Sequence, residues 1–187
     1  MANFDLYLPT LLSHEGGFND IKGDSGGATN KGVSLRFALS TLDLDKDGFK
    51  DADFDKDGDI DVDDIKKVSK EDAKKIYKLY FWDKIKGDQI TSQSVAEIVF
   101  DHAVNAGVQS ASKLLQRALN SMFSEVIVDG DLGPKTIMFT NKTNGKVLFN
   151  LIKQGRVDFY NNLVAQKPTL EKFKKGWLNR ISTFQYK

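Results

Sequence analysis

Apolar residues recur at helical spacing in nearly every segment of this chain, and the alternating runs of half-buried strands are scarce. The expected class is therefore mainly α, or α+β at most. Asn3 stands where a cap would precede a helix carrying Phe4, Tyr7, Leu8, Leu11 and Leu12; Pro9 within it implies a kink or a late start, and Gly16-Gly17 an end. Leu35 to Leu42 reads as a short helix. Ser69-Lys-Glu-Asp72 has the form of a capping box that opens a helix through Tyr80, with Ile76, Tyr77 and Tyr80 facing the core. Val95, Ile98, Val99, His102 and Ala103 mark a buried helix ending near Gly107; Leu114, Leu115, Ala118, Leu119 and Met122 mark its successor. Gly133-Pro134 starts a short helix with proline in its first turn. Asn144 caps a long helix from Val147 to Leu163, and Pro168 separates off a last segment anchored by Phe173, Trp177, Ile181 and Phe184.

At 187 residues the chain has the length of one ordinary domain or two small ones, and no low-complexity linker divides it, so two lobes sharing a core are expected. It contains no cysteine, which excludes a disulfide scaffold, a thiol nucleophile and a Cys-ligated zinc site. The amino terminus has no basic n-region and no apolar run long enough for a signal peptide or a membrane span. A soluble chain, synthesised in the cytoplasm without an evident export address, is the expectation. The net charge of +1 hides a partition: positions 43–64 hold 11 Asp against 3 Lys, and the remainder is strongly basic. A basic body suits a polyanionic partner and an acidic loop suits cations, although lysines scattered for solubility explain the body equally well. No dense basic run interleaved with aromatics is present, so nucleic acid is not an expected partner.

Within the acidic stretch, Asp53, Asp55 and Asp57 occupy positions one, three and five of a twelve-residue loop, followed by Gly58 at six, Ile60 at eight and Asp64 at twelve. This is the donor spacing of an EF-hand-like calcium loop, with Asp64 in place of the usual Glu. The Asp59 carbonyl fills position seven, and Asp61 at nine ligates directly or through water. Asp43-Leu-Asp45-Lys-Asp47-Gly48 begins a second such loop, but Lys50 and Phe54 stand at its eighth and twelfth positions. It is either vestigial or borrows Asp51, Asp53 or Asp55. Neither loop contains histidine, and calcium is poorly suited to generating hydroxide, so the expected Ca2+ is structural.

A further constellation begins at Glu15-Gly16-Gly17-Phe18 and continues with Asp24-Ser25-Gly26-Gly27-Ala28-Thr29-Asn30-Lys31-Gly32-Val33. One carboxylate at a helix end and another beyond a glycine-rich loop can face each other across a cleft. Glycosidic hydrolysis needs such a pair, one acid to protonate the leaving oxygen and one carboxylate to activate water or stabilise the developing cation. On composition alone, Glu15 could equally decorate a helix terminus and Asp24 cap a turn. His14 adjoins Glu15 but points elsewhere on a helix, and His102 reads as a hydrogen-bonded core residue. Asp101 and Asn105, one helical turn apart, could project together toward a sugar.

These motifs, together with Tyr80-Phe-Trp82-Asp83 and Phe100-Asp101-x-Ala-Val-Asn105-x-Gly107, resemble those of glycoside hydrolase family 108, bacterial and phage N-acetylmuramidases of which some carry a secretion-activator label. The resemblance implies a lysozyme-like helical fold, in which the EF-hand-like calcium loop read from its spacing is an insertion, and hydrolysis of the β-1,4 bond between N-acetylmuramic acid and N-acetylglucosamine. It puts Glu15 at the catalytic acid position. The order Glu15, Asp24, Thr29 is also similar to that of phage-type lysozymes, where Asp and Thr position water, but the Asp-to-Thr interval here is one residue shorter. As an acid Glu15 must keep its proton near neutral pH, whereas Asp24, in a polar loop, would stay ionised.

Leu115-Gln116-Arg117-Ala-Leu119-Asn120 and Val128-Asp129-Gly130-Asp131-Leu132-Gly133-Pro134-Lys135-Thr136 resemble the helix and turn of small peptidoglycan-binding domains, though an Asp-Gly turn and a Pro-started helix need no ligand to explain them. The expected organisation is a catalytic lobe over 1–107 with the calcium insertion at 43–64, and a helical, wall-binding lobe over 108–187. The implied protein is an endolysin-like monomer of prophage type, acting on the cell wall after release or export, with Thr29, Asn105 and Asp101 as substrate contacts. Two alternatives stand beside it: a lytic transglycosylase, which needs the glutamate without Asp24, and a non-enzymatic wall-binding or export accessory.

Overall fold

Helix α1 spans Phe4–Glu15 and buries Phe4, Tyr7, Leu8 and Leu11 on one side while Leu6 stays exposed. Pro9 lies inside it and neither delays its start nor breaks it. The ring removes the hydrogen bond to the Asp5 carbonyl within the first two turns, and the buried stripe on either side carries the helix through. The computed structural model describes residues 1–15, 17–20, 27–45, 47–48 and 51–187, the side chains of His14 and Glu15 excepted. These residues form two compact units, Phe4–Tyr80 and Phe81–Lys187 together with Met1–Asn3.

In the first unit, strands β1 (Thr29–Asn30) and β2 (Val33–Ser34) form an antiparallel hairpin with Thr29 opposite Ser34 and Asn30 opposite Val33. Lys31 and Gly32 both have positive φ, 49° and 77°, the two-residue turn whose twist matches flanking strands. Helical periodicity cannot announce strands this short. Helix α2 (Leu35–Thr41) follows directly, capped by the Ser34 hydroxyl, which accepts from Phe37 N at 3.2 Å. Helices α3 (Val62–Lys67) and α4 (Lys70–Tyr77) complete the unit. The capping box at α4 forms as expected: Ser69 Oγ accepts from Asp72 N at 3.1 Å and Asp72 Oδ2 accepts from Ser69 N at 3.0 Å. The α-helix stops at Tyr77, however, and a π-helical turn follows over Lys78–Trp82. The wider turn shifts the register, so Ile76 and Tyr77 are buried but Tyr80 is only partly so. The Tyr80 hydroxyl sits 3.0 and 2.8 Å from the carbonyls of Thr41 and Asp43, and accepts from Asp43 N at 2.6 Å.

The second unit contains α5 (Gln93–Ala106), α6 (Val108–Asn120), α7 (Pro134–Lys142), α8 (Gly145–Gln166) and α9 (Glu171–Thr183). Helices α5, α6 and α8 pack mutually, and α9 lies on α8. Ser92 caps α5, Gly107 at φ 88° separates α5 from α6, Pro134 opens α7, and Asn144 Oδ1 caps α8 by accepting from Lys146 N and Val147 N at 3.1 and 3.2 Å. Trp82 is fully buried and donates its indole N–H to Asp88 at 2.7 Å. A Cβ on Gly87 would lie 2.3 Å from the indole ring, which leaves glycine as the residue that fits there. Met122 falls beyond the end of α6 and is exposed, as is Phe173, so neither anchors the core. The fold is mainly α, and the hairpin is the only sheet among the described residues.

Candidate active site

Glu15 closes α1. Its side chain and the whole of Asp24 lie outside the described residues. What can be placed is the hairpin that follows. Thr29 exchanges two main-chain hydrogen bonds of 2.8 Å with Asn19, and its hydroxyl donates to the Gly27 carbonyl at 3.4 Å. Asn30, buried beside it, donates to the carbonyls of Ile65 and Lys66 at 2.9 and 3.2 Å, at the end of α3. Lys31 Nζ donates to the Val68 carbonyl at 2.7 Å, and the Tyr77 hydroxyl to the Lys31 carbonyl at 2.9 Å. Three side chains thus fasten the hairpin to the segment after the acidic loop. Sequence reasoning quoted Asn30 only as part of a motif; an amide beside a tight turn was its sole signal.

The acidic loop has the backbone of a cation-binding loop. Asp53 accepts from Asp57 N and Gly58 N, both at 3.1 Å, Gly58 has φ 100°, and Asp61 caps the exit helix α3. Asp64 is fully buried: Oδ1 accepts from Phe54 N and Asp55 N at 2.6 and 3.2 Å, and Oδ2 from Asp61 N at 2.8 Å. The six candidate ligands gather as two groups, Asp53, Asp55 and Asp57, and Asp59, Asp61 and Asp64; within each group the ligand oxygens lie within 4.8 Å of one another. Asp55 Oδ1 is buried without a hydrogen-bond partner, the state of an oxygen that a cation would satisfy. Burial first, and then Asp57 and Asp64, push the Asp55 carboxyl above its ordinary value, while Asp57 is the main cause of the same shift at Asp59. An all-carboxylate and carbonyl donor set fits a hard divalent cation such as calcium.

The preceding turn repeats this pattern in shorter form. Asp51 Oδ2 accepts from Leu44 N and Asp45 N, as Asp64 does from Phe54 and Asp55, and Asp43 Oδ2 accepts from Gly48 N at 3.2 Å. Of the residues this turn could borrow, the structure brings Asp51 to Asp43 and Asp45.

Asp101 departs from its expected role. It is fully buried, with Oδ2 2.6 Å from Arg156 Nη2 and Oδ1 2.7 Å from Arg180 Nη2. Burial alone would raise its carboxyl, but the two guanidinium groups outweigh it and hold the carboxyl below its ordinary value. Both oxygens are committed inside the second unit, so Asp101 organises a core and does not face a sugar. Asn105 is exposed and donates to the Asp101 carbonyl at 2.7 Å, which leaves its amide oxygen to accept from a ligand. His102 is a core residue, as expected: Nε2 lies 3.3 Å from Ser110 Oγ, Nδ1 has no hydrogen-bond partner, and burial followed by the Arg156 charge pushes its pKa down to about 3. Sequence reasoning missed Arg156, whose guanidinium is buried and lies over the Phe184 ring at 5.2 Å; a lone arginine on a helix carries no pattern that marks it as internal.

The Asp129-Gly130 turn has a structural explanation. Buried Gln116 donates to Asp129 Oδ1 and to the Asp131 carbonyl at 2.7 and 2.8 Å and accepts from Gly130 N at 2.8 Å, pinning the turn to α6.

Comparison with known proteins adds the following. The profile described as "Glycosyl hydrolase 108" matches residues 8–107, and that described as "Predicted Peptidoglycan domain" matches residues 110–182. A solved structure titled "Structure of Brucella abortus SagA" is similar at 29% identity and a TM-score of 0.74, over 96% of this chain and 89% of that one. No curated protein matches.

Proposed function

The chain belongs to glycosyl hydrolase family 108, and from that premise we propose that it is an N-acetylmuramidase, cleaving the β-1,4 bond between N-acetylmuramic acid and N-acetylglucosamine. At the coarser level it is a glycoside hydrolase of peptidoglycan. The observation that carries the finer reading is the ending of α1 on Glu15, inside the family-matched segment and shortly before the clamped hairpin bearing Thr29. The C-terminal end of a helix is the negative end of its dipole and suits a carboxyl that must carry a proton.

In this reading Glu15 donates its proton to the glycosidic oxygen as the bond to the leaving sugar breaks. Asp24, ionised, takes a proton from a water that attacks the anomeric carbon from the opposite face, Thr29 holds that water, and Asn105 accepts from a sugar amide or hydroxyl. The acidic loop serves the hairpin indirectly. Calcium held by Asp53, Asp55, Asp57, Asp61 and Asp64 and the Asp59 carbonyl would fix the start of α3, whose last carbonyls receive the Asn30 amide next to Thr29. The metal supplies rigidity and no step of the reaction. Because its substrate is the wall, the chain acts there after release or export.

Glu15→Gln should lower peptidoglycan clearing by about 10² to 10⁴-fold with the circular dichroism spectrum unchanged. Mass spectrometry of wild-type digests should find muramic acid at the reducing end, and NMR of the first product should find inverted configuration. An anhydromuramic product would establish a transglycosylase instead. Full clearing by Glu15→Gln would remove Glu15 from the mechanism.

A further inference from the structure

Between α6 and α8, within the second unit, runs an open groove of about 590 Å³. Its floor is apolar, made by Leu114 and Ala118 of α6 and Leu151, Phe159 and Leu163 of α8. Along α8 a second line is polar: Gln154, Asp158, Asn162 and Gln166 recur every four residues and border the groove over its length. Arg117 of α6 also lines it, exposed, its guanidinium without a hydrogen-bond or ion-pair partner among the described residues. Gln154 donates to Asp158 at 2.9 Å, whereas Asn162 and Gln166 have no partner among the described residues. Gly155 lets α6 and α8 close on each other: a Cβ there would come within 2.6 Å of the Leu114 methyl, which fills the space.

Rungs four residues apart on a helix are about 6 Å apart. An extended peptide presents like-facing amides every two residues, about 6.6 Å apart. Three amide rungs and the Asp158 carboxylate therefore span about five extended residues. The groove also offers the Arg117 guanidinium for a carboxylate and the Asp158 carboxylate for an ammonium, beside its apolar floor. Stacking a sugar ring would need an open aromatic face. Phe159, the one aromatic among the lining residues, is already met edge-on by His102 at 4.9 Å and Tyr160 at 5.1 Å between ring centres.

We propose that this groove binds the peptide stem of peptidoglycan, a short extended peptide with free carboxylates and a diamino acid, and not the glycan strand. The proposal rests on peptidoglycan being the substrate, and it gives the second unit the task of reading the peptide while the hydrolytic residues act on the sugar.

The test is calorimetric titration of the full chain with three probes: the free stem tetrapeptide bearing a diamino acid, the disaccharide-tetrapeptide, and glycan chains stripped of peptide. The two peptide probes should bind with similar Kd. Arg117→Ala and Asn162→Ala should each weaken both by about tenfold or more, the loss of one charge-assisted or neutral hydrogen bond to a desolvated partner, with Tm unchanged because neither side chain has a partner in the fold. Absence of tetrapeptide binding to the wild type, or equal tetrapeptide binding by Arg117→Ala and wild type, would overturn the proposal, as would stripped glycan binding that both substitutions abolish. Clearing of sacculi keeps the two readings apart. Wild-type clearing without tetrapeptide binding sinks the groove and leaves the hydrolase standing; tetrapeptide binding without clearing does the reverse.

Discussion

Asp101 and the aspartates of the 53–64 loop bring the same carboxylate into opposite surroundings. Asp101 is buried between two guanidinium groups, its carboxyl held below its ordinary value. Asp55 and Asp59 are ringed by other aspartates and pushed above theirs. In the first case the protein supplies its own countercharge through tertiary contact. In the second, among the described residues, only Asp63 has a protein cation, Lys66 at 2.6 Å; Asp55 and Asp59 make no ion pair, and a cation from solution would offset their charge. The two clusters should therefore respond oppositely to acid. The Asp101 contribution is present above the ordinary carboxylate range and is lost as pH falls through its lowered value. Asp55 and Asp59, with raised values, are relieved as pH falls and strained as it rises through those values.

The largest expected effect breaks the internal cluster. Asp101→Asn leaves Arg156 buried with an uncompensated charge, and should cost about 3 to 5 kcal/mol in urea unfolding. A loss below about 1 kcal/mol would mean that water already reaches the guanidinium groups. Next comes the external cation. Calcium at a hundredfold excess over its Kd should add about 2.7 kcal/mol to the metal-free chain, chelation should reverse it, and Asp53→Ala with Asp64→Ala should abolish the response. A calcium-independent thermal melt in a metal-stripped wild type would show that the loop manages without one.

A smaller effect tests the neighbourhood of Asp101. His102 is buried with a pKa of about 3, against about 6.5 unfolded. Its neutral form is the one the fold holds, so its contribution is complete above pH 6.5 and is lost progressively as pH falls toward 3, at about 1.4 kcal/mol per pH unit within that window. Between pH 6.5 and 5, above the carboxylates, His102→Gln should flatten the dependence of unfolding free energy on pH; an unchanged slope would place the titration elsewhere. The smallest effect belongs to an exposed pair. Lys74 and Asp5 are 2.8 Å apart with side chains 39% and 60% exposed, so Lys74→Ala should cost less than about 1 kcal/mol and lose even that in high salt.

Much of the architecture was legible because it is local. Capping residues Ser69 and Asn144, Pro134 at a helix start and Gly107 between two helices all act within a turn of themselves, and each does what its chemistry implies. The acidic loop is legible for the same reason, since twelve consecutive residues contain their own geometry. The hairpin at Thr29 was not, because two-residue strands have no period, and neither was the π-helical turn that moved Tyr80. Of the candidate site, Glu15 at the end of α1 was legible from Gly16-Gly17, while the anchoring of Thr29 through Asn30 was not.

What the sequence determined by itself, then, is what near neighbours decide: helix class, caps, loop spacing and the order of the motifs that match the family. Only the tertiary structure decided which charges are internal. Asp101 and Arg156 are 55 residues apart, and Asp101 and Arg180 are 79 apart. An aspartate in a helix is ordinarily a surface group, and its place changes only when the fold brings two guanidinium groups close enough to offset its desolvation. The same holds for Asn30, whose amide finds the carbonyl of Ile65 across 35 residues. A polar side chain carries no local mark of the partner that will bury it, because that partner's position depends on how the whole chain closes.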